Sequence, residues 1–176
     1  MDDASAFLTS RMRLKPEHAV AAILQVEDGR YVLQLRDSNP KIFYPDHWGC
    51  FGGAMEQGET PVDTILRELD EELGLQLREA DCTYFTEFTF DFDFAGFGIR
   101  RRYYYSVVLP QATLDGMVLT EGAKFDAFPA NVALSTLPLT PYDAFAVWMH
   151  HHRDRLLNPL GRKTLSADTS APVQQV

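Results

Sequence analysis

A concentration of acidic residues lies between Gly53 and Leu75, in the stretch GAMEQGETPVDTILRELDEELGL. This stretch contains seven acids and a single base, Arg67, and its net charge is therefore -6. The whole chain of 176 residues has a net charge of -9. Because most of the excess negative charge falls in one short segment, the acidity indicates a site rather than a uniformly acidic surface. The acids are Glu56, Glu59, Asp63, Glu68, Asp70, Glu71 and Glu72.

Three of these acids share one flank of a predicted helix. At about 100° per residue, Glu68, Glu71 and Glu72 lie to one side of the apolar stripe that should face the core. Their i,i+3 and i,i+4 spacings bring like charges together, which weakens a helix unless a partner is present. Carboxylates are ligands for hard divalent cations, and Mg²⁺ combines one or two of them with water and substrate phosphates. The simpler alternative is a solvated acidic face with Arg67 as its counter-ion.

The segment resembles the signature of the Nudix hydrolases, G-x5-E-x7-R-E-U-x-E-E-x-G-U, in which U is aliphatic. Every specified position is filled, by Gly53, Glu59, Arg67, Glu68, Leu69, Glu71, Glu72, Gly74 and Leu75. The resemblance implies an α/β/α sandwich around a mixed β-sheet. It also implies cleavage of the diphosphate linkage in a nucleoside diphosphate joined to another group. One departure is Phe51, which stands where many members have a proline before the glycine pair.

The resemblance also implies roles for single residues. The expected ligands of Mg²⁺, or of Mn²⁺ as a substitute, are the side chains of Glu68, Glu71 and Glu72 and the carbonyl of Gly52. Arg67 would pair with Glu59 and so orient the carboxylates. Glu121 is the candidate for a further family acid, acting as a ligand or as general base. The identity of the general base stays open among the four acids at Glu68, Glu71, Glu72 and Glu121, and the number of metal ions is also open.

The candidate residues for substrate binding lie outside the motif, at Arg100, Arg102, Phe43 and Tyr44. The arginines belong to a run of three basic residues that would contact phosphate or base. Alternatively they pair across a hairpin with Asp91 and Asp93. The two aromatic residues precede the motif and are suited to stacking on a base, whereas we expect Trp48 to pack beneath the loop.

The elements that must position these residues follow from the apolar patterning. Apolar runs over 18–26 and 31–35 flank Asp28-Gly29 and predict a β-hairpin. Thr60, with Pro61 after it and Asp63 three residues on, predicts the start of a helix that ends at Gly74. The remaining predicted elements are a strand with alternating phenylalanines from Phe88 to Phe94, a turn over 95–98, strands over 99–109, 117–121 and 125–128, and a helix over 140–158. This order predicts a mixed α/β (α+β) domain.

Composition excludes several classes of protein. An apolar fraction of 45% is too high for a wholly disordered chain. The net charge of -9 is unfavourable for electrostatic binding to genomic nucleic acid, and no apolar run approaches the roughly 20 residues that cross a membrane. Two cysteines, Cys50 and Cys82, are too few for a disulfide framework, so we expect reduced thiols in a cytoplasmic protein. The expected partner is a small-molecule nucleotide, and a homodimer is compatible with the family.

We expect one domain over residues 15–160, with an N-terminal extension over 1–14 and a polar tail over 161–176.

Two alternatives to a hydrolase remain. An enzyme like isopentenyl diphosphate isomerase relies on a cysteine next to the first glycine, whereas Cys50 is displaced from Gly53. A non-catalytic module that senses a nucleotide would tend to lose motif acids, and none is lost here. The candidate substrates are nucleotide sugars, ADP-ribose and nucleoside triphosphates.

The last helix carries a histidine tract at 150–152, whose side chains diverge on a helix and cannot converge on one ion. We expect Phe145 and Trp148 of the same helix to be in the core.

Overall fold

A computed structural model describes residues 15–158 of the chain. The predicted extension over 1–14 and the predicted tail over 161–176 lie outside these described residues. Six strands and five helices follow one another in the described part, with single 3-10 turns at Glu79–Asp81 and Asp93–Ala95. They are β1 (Ala19–Val26), β2 (Tyr31–Leu35), β3 (Trp48–Gly49), α1 (Pro61–Leu73), β4 (Thr83–Asp91), β5 (Ile99–Leu109), α2 (Gln111–Gly116), β6 (Lys124–Phe128), α3 (Ala130–Thr136), α4 (Pro141–His151) and α5 (Arg153–Leu157).

The strands form one mixed sheet in the order β3-β2-β1-β5-β4, with β6 paired to β2. β1 and β5 run parallel over their eight paired residues, and the other pairs are antiparallel. The hairpin predicted at Asp28-Gly29 is confirmed, because Leu24 lies opposite Val32. β1 is apolar along most of its length because both faces of this central strand are covered.

A helical layer covers each face of the sheet. Ile65, Leu69 and Leu73 of α1 are buried against one face together with Val20 and other residues of the central strands. Ala133 of α3 and Ala146 and Val147 of α4 are buried against the other face. The predicted α/β/α sandwich is therefore confirmed, and its two apolar cores lie on opposite sides of β1.

The helix that carries the acidic cluster has well-formed ends. Thr60 caps α1 by accepting the backbone N–H of Asp63, and the Asp63 carboxylate accepts the N–H of Thr60 at 3.0 Å. Pro61 occupies the first turn, where no backbone donor is needed. Gly74 ends the helix with a φ of 67°, a left-handed conformation that glycine adopts without strain. The predicted bounds of this helix are confirmed.

Two predictions of strands are wrong, one in its extent and one altogether. β4 ends at Asp91, because the chain turns back where Phe92 donates its N–H to the carbonyl of Gly98 at 3.1 Å. The predicted alternation therefore stops short, and Phe94 is 71% exposed. The strand predicted over 117–121 does not form either. This segment is irregular and packs against the end of α1 instead.

The C-terminal helix also differs from its prediction. It is divided at His152 into α4 and α5, and Phe145 and Trp148 are exposed rather than in the core. α2 and α3 were not predicted, because each is a short helix that directly follows a proline, at Pro110 and Pro129. Among the described helices, none has both the length and the apolar character required to span a membrane.

Candidate active site

The loop before α1 continues the sheet beside the start of β1. Val20 donates its N–H to the carbonyl of Gly53 at 2.9 Å, and Ala22 donates to the carbonyl of Phe51 at 2.8 Å. Phe51 is fully buried in the core on the α1 side of the sheet. The departure from proline at this position therefore places an aromatic anchor under the loop and leaves the glycine pair at the surface of the site.

Both glycines of the pair are required by close contacts. Gly52 has a φ of +127°, and a Cβ there would lie 3.0 Å from the Cα of Ala21. A Cβ at Gly53 would instead overlap the carboxylate of Glu68. Because neither residue has a side chain, the backbone of the loop lies directly against the acidic flank of α1.

Glu72 is the most buried acid of the cluster, with 5% of its surface exposed. Its carboxylate accepts the N–H of Gly52 at 2.9 Å, and Gln34 on β2 lies 3.5 Å away as a second donor. Burial, aided by the nearby charges of Glu68 and Glu121 and opposed by the N–H of Gly52, raises the pKa of Glu72 to about 7. The alternative of a solvated acidic face does not hold at Glu72, which reaches into the gap between α1 and the loop.

Glu121 directly follows Thr120, which is hydrogen-bonded to the end of α1. Its charge raises the pKa of Glu68 as well as that of Glu72, although burial is the largest cause in both cases. Thr120 fixes the segment by donating its N–H to the carbonyl of Glu72 at 3.0 Å and its hydroxyl to the carbonyl of Glu71. The last turn of α1 thus positions the exposed Glu121 beside the motif acids.

Arg67 joins the loop to the helix. Its Nε and Nη2 atoms donate to the two carboxylate oxygens of Glu59, at 2.7 and 3.1 Å, and Nη2 also donates to the carbonyl of Ala54. The hydrogen bonds from Arg67, together with those from Glu56 and Thr64, hold the pKa of Glu59 at about 2. The predicted contact between Arg67 and Glu59 is present, in the bidentate form that only arginine provides.

The same arginine also contacts two motif acids. Its Nη1 atom lies 2.9 Å from a carboxylate oxygen of Glu68 and 2.9 Å from one of Glu71. Within residues 15–158, no three acidic, histidine or cysteine side chains are gathered so that they hold a metal ion as they stand. The donor chemistry nevertheless fits Mg²⁺, because crowded carboxylates with raised pKa values gain most from a hard divalent cation.

A cavity of about 410 Å³ lies beside the glycine pair, on the side away from α1. All four substrate-binding candidates, Arg100, Arg102, Phe43 and Tyr44, line it. Four further lining residues, Arg36, Phe90, Phe92 and Tyr142, were not predicted as site residues. They come from β4, the turn after it, α4 and the segment after β2, and only the folded chain brings them together.

The three consecutive arginines have different partners. Arg102 contacts Asp143 of α4 at 3.2 Å, Arg101 lies 3.9 Å from Glu87, and the Nε of Arg100 donates to the carbonyl of Pro16 at 2.8 Å. The alternative of pairing with Asp91 and Asp93 is therefore wrong, because the acidic partners are Glu87 and Asp143. Asp91 lies opposite Ile99 in the hairpin.

Cys50 and the histidine tract have structural surroundings. Cys50 is buried in the core on the α4 side, and burial raises the pKa of its thiol. His150 is buried between Tyr31 and Ser106, and each hydroxyl lies 3.0 Å from one ring nitrogen. Within residues 15–158 the three histidines of the tract do not form a group that could hold a metal ion.

Comparison with known proteins agrees with this architecture. The sequence model of the NUDIX domain matches residues 15–147. The dihydroneopterin triphosphate diphosphatase of Haemophilus influenzae is 34% identical over 83 residues, which are 47% of this chain and 49% of that protein. The nucleoside triphosphatase NudI of Salmonella arizonae is 36% identical over 70 residues, 40% of this chain and 49% of that protein. The chain thus spans about half the length of the curated relatives it matches.

Solved structures show the same fold at lower identity. The MutT protein from Methanosarcina mazei superposes with a TM-score of 0.65 and is 16% identical. The superposition covers 80% of this chain and 97% of that chain. At this identity the likeness is one of fold.

Proposed function

The chain belongs to the Nudix family, and from this premise we propose that it is a Mg²⁺-dependent pyrophosphohydrolase of nucleotides. The observation that carries the proposal is that Gly52 and Gly53, which line a cavity together with arginine and aromatic side chains, also lie against the carboxylates of Glu72 and Glu68. The names of two relatives, a dihydroneopterin triphosphate diphosphatase and a nucleoside triphosphatase, favour triphosphate substrates. Nucleotide sugars and ADP-ribose belong in the same substrate panel.

The proposed ligand set is the one expected from the family motif. The side chains of Glu68, Glu71 and Glu72 and the carbonyl of Gly52 would hold Mg²⁺, with Mn²⁺ as a substitute. When bound, the cation supplies charge neutralisation for the diphosphate and acidifies a water molecule. Arg67 orients Glu68 and Glu71 by hydrogen bonds from one nitrogen atom, and Gly52 orients Glu72 by its backbone N–H.

Glu121 is the residue that we assign to accept the proton from the attacking water. The carboxylate of Glu72 is already hydrogen-bonded to Gly52, and that of Glu68 to Arg67. Glu121 is exposed at the edge of the cluster, so its carboxylate is accessible to water. The neighbouring Thr120 anchors this segment to α1 and keeps Glu121 within reach of the phosphate end of a substrate.

The test is turnover of a nucleotide panel by the wild type and by Glu72→Gln, with Mg²⁺ or with EDTA. The panel contains nucleoside triphosphates, dihydroneopterin triphosphate, ADP-ribose and a nucleotide sugar, with phosphate and pyrophosphate as readouts. We expect EDTA to abolish turnover and Glu72→Gln to lower kcat at least about a hundredfold. Glu79→Gln, in the exposed 3-10 turn after α1, is the matched control. Equal rates with and without EDTA would contradict the proposal.

The structure gives no support to the two alternatives. A cysteine-dependent isomerase would need its thiol beside the carboxylates of α1. The Cys50 thiol is instead buried on the α4 side of the sheet. All motif acids of a catalytic member are present, which is unfavourable for a module that only senses nucleotides. Binding of nucleotide with Mg²⁺ but without turnover of any panel member would favour the sensing module.

We also propose a cytoplasmic location, a domain over residues 15–160 and a homodimer. Two buried free thiols support the location, since they suit a reducing compartment.

The position of β4 at the edge of the sheet, with Tyr84 52% exposed, supports association of two copies in the homodimer. Light scattering after size-exclusion chromatography tests the dimer, and a monomeric mass at micromolar concentration would overturn it.

A further inference from the structure

Arg102 is held in one orientation at the wall of the cavity. Its Nε and Nη2 atoms donate to the Oδ1 atom of Asp143, at 3.3 and 3.2 Å, and Nε also donates to the Tyr104 hydroxyl at 3.0 Å. Asp143 is 1% exposed, and its other oxygen accepts the Thr140 hydroxyl and the N–H of Cys50. The carboxylate is thus fixed from several sides, and it fixes the guanidinium in turn.

The orientation leaves part of the guanidinium directed at the cavity. An arginine side chain has five N–H donors, and the contacts described for Arg102 occupy one on Nε and one on Nη2. The central carbon of the guanidinium lies 4.8 Å from the ring centre of Tyr142 and 5.5 Å from that of Tyr104. Since Arg102 and Tyr142 both line the cavity, the remaining donors of Nη1 and Nη2 form a rigid fork at its wall.

This fork lies on the opposite side of the glycine pair from the acidic cluster. Arg102 is on the same face of β5 as Tyr104, which packs with α4, whereas Glu68 and Glu72 belong to α1 on the other face. Gly52 and Gly53 lie between them and line the cavity. A nucleotide whose phosphates reached the carboxylates across the glycine pair would have this cavity, with Arg102 in its wall, available for its base.

The charged side chains that line the cavity offer many hydrogen-bond donors and few acceptors. Its charged lining residues, among those the structure describes, are the cations Lys15, Arg36, Arg100, Arg101 and Arg102 and a single acid, Glu17. The carboxylate of Asp143 is buried behind Arg102 and is saturated by its own partners. At Arg102 an exocyclic amino group on a base meets the guanidinium donors rather than the buried Asp143 carboxylate, whereas a carbonyl oxygen next to a ring nitrogen matches the arginine fork.

We propose that Arg102, oriented by Asp143, selects nucleotides whose bicyclic base has a carbonyl oxygen beside a ring nitrogen acceptor, as in the 6-oxopurines. This inference rests on the proposed function and adds a base preference to it. Arg102 is the residue in contact with the base, and Asp143 is a positioning residue that acts through it. Adenine nucleotides are disfavoured because their 6-amino group would place hydrogen-bond donors against the N–H donors of Arg102.

The first test uses the wild-type protein and substrates with identical triphosphates. We expect kcat/KM for GTP and ITP to be similar and about tenfold higher than for ATP. 7-Deaza-GTP, which lacks the ring nitrogen acceptor, should be used several-fold less well than GTP. The comparison of ITP with GTP separates the 6-oxo group from the 2-amino group, and no variant has to fold for this result.

The second test uses Arg102→Lys, which keeps the charge but loses the planar fork. We expect the GTP/ATP ratio of kcat/KM to fall close to one, through a higher KM for GTP with little change in kcat. Asp143→Asn should lower the same ratio, because the guanidinium loses its anchor. Arg78→Lys, an exposed arginine paired with Asp81 outside the cavity, is the matched control and should keep the wild-type ratio. Circular dichroism and thermal unfolding check that each variant is folded.

Three outcomes would overturn or separate the claims. Equal use of GTP and ATP by the wild type would overturn the base preference and leave the hydrolase intact. An equal loss of turnover of GTP and ATP in Arg102→Lys would show a contact with phosphate and overturn the inference as well. If no nucleotide is turned over, the proposed function fails. Calorimetric binding of GDP against ADP then decides the base preference, which equal affinities would refute.

Discussion

A Cβ atom placed on Gly53 would lie 2.6 Å from the carboxylate carbon of Glu68. The loop before α1 therefore lies against the Glu68 carboxylate, which is expected to bind metal. No side chain separates the backbone of Gly53 from that carboxylate. The φ angle of Gly53 is not in the left-handed region, so its lack of a side chain serves the contact rather than the backbone conformation. The position of Glu68 depends on this contact.

Gly53→Ala should displace the Glu68 carboxylate while the fold is retained, because the group that must move is the end of a flexible side chain. We expect kcat to fall about a hundredfold, as a misplacement of about 1 Å can do. Steady-state hydrolysis and thermal unfolding measure the two effects. Gly116→Ala is the matched control, since a Cβ there has no neighbour within 4 Å. Wild-type activity in Gly53→Ala would contradict a catalytic role for Glu68.

Glu121→Gln should lower kcat about tenfold or more with little effect on stability, because the side chain is exposed and the amide accepts no proton. Glu56→Gln replaces another exposed acid of the loop and should leave the rate unchanged. If both variants hydrolyse substrate at the wild-type rate, Glu121 is not the proton acceptor.

The stability of the protein should decrease below pH 6.5 because of His150. Burial, aided by the charge of Arg153, lowers the pKa of this imidazole to about 4. In the unfolded chain its pKa is about 6.5. The neutral ring is favoured in the native state, so its stabilisation is complete above pH 6.5 and is lost as the pH falls toward 4. The loss between pH 7.5 and pH 5 is about 2 kcal/mol.

Urea unfolding of His150→Gln at the two pH values measures this contribution. The variant should be less stable at pH 7.5, because two buried hydroxyls lose the ring between them, but its stability should change less with pH. His152→Gln removes a neighbouring histidine that is not among the groups acting on the pKa of His150 and should keep the wild-type pH dependence. An unchanged pH dependence in His150→Gln would show that the imidazole is not the titrating group.

Both thiols should be unreactive in the native protein. Cys50 is 1% exposed and Cys82 is 9% exposed, and burial raises the pKa of each thiol, that of Cys82 to about 11. Titration with a chromogenic disulfide should detect essentially no fast-reacting thiol before unfolding and both thiols in guanidinium chloride. Rapid modification of Cys50 with loss of activity would revive the isomerase-like alternative.

The local parts of the fold could be predicted from the sequence. The bounds of α1 follow from Thr60, Asp63 and Gly74, because caps and left-handed glycines act within a few residues. The contact between Arg67 and Glu59 follows from a motif of fixed spacing. The end of β4 could not be predicted in this way, because the alternating phenylalanines continue past Asp91, where a backbone turn closed by Gly98 interrupts the pairing.

The distant parts of the site were less accessible to sequence reasoning. Asp143 is an ordinary acid in the first turn of a helix until β5 brings Arg102 against it. Gln34 reads as a polar residue within an apolar strand, but the fold buries it beside Glu72. In both cases the chemistry depends on a partner more than 35 residues away in the chain, as their separations of 41 and 38 residues show. A local pattern carries no information about such a partner.

The last turn of α1 serves as a common reference point for two separate loops. Glu72 receives the N–H of Gly52 on its side chain and that of Thr120 on its backbone carbonyl. Inserted or deleted residues within 92–98 or 110–118 leave this turn in register, whereas a one-residue insertion inside α1 rotates it by about 100°. For engineering, the segments over 92–98 and 110–118 are therefore the ones to vary in length. The helix must be kept at its native length, because one carboxylate and one carbonyl of the same residue align both loops.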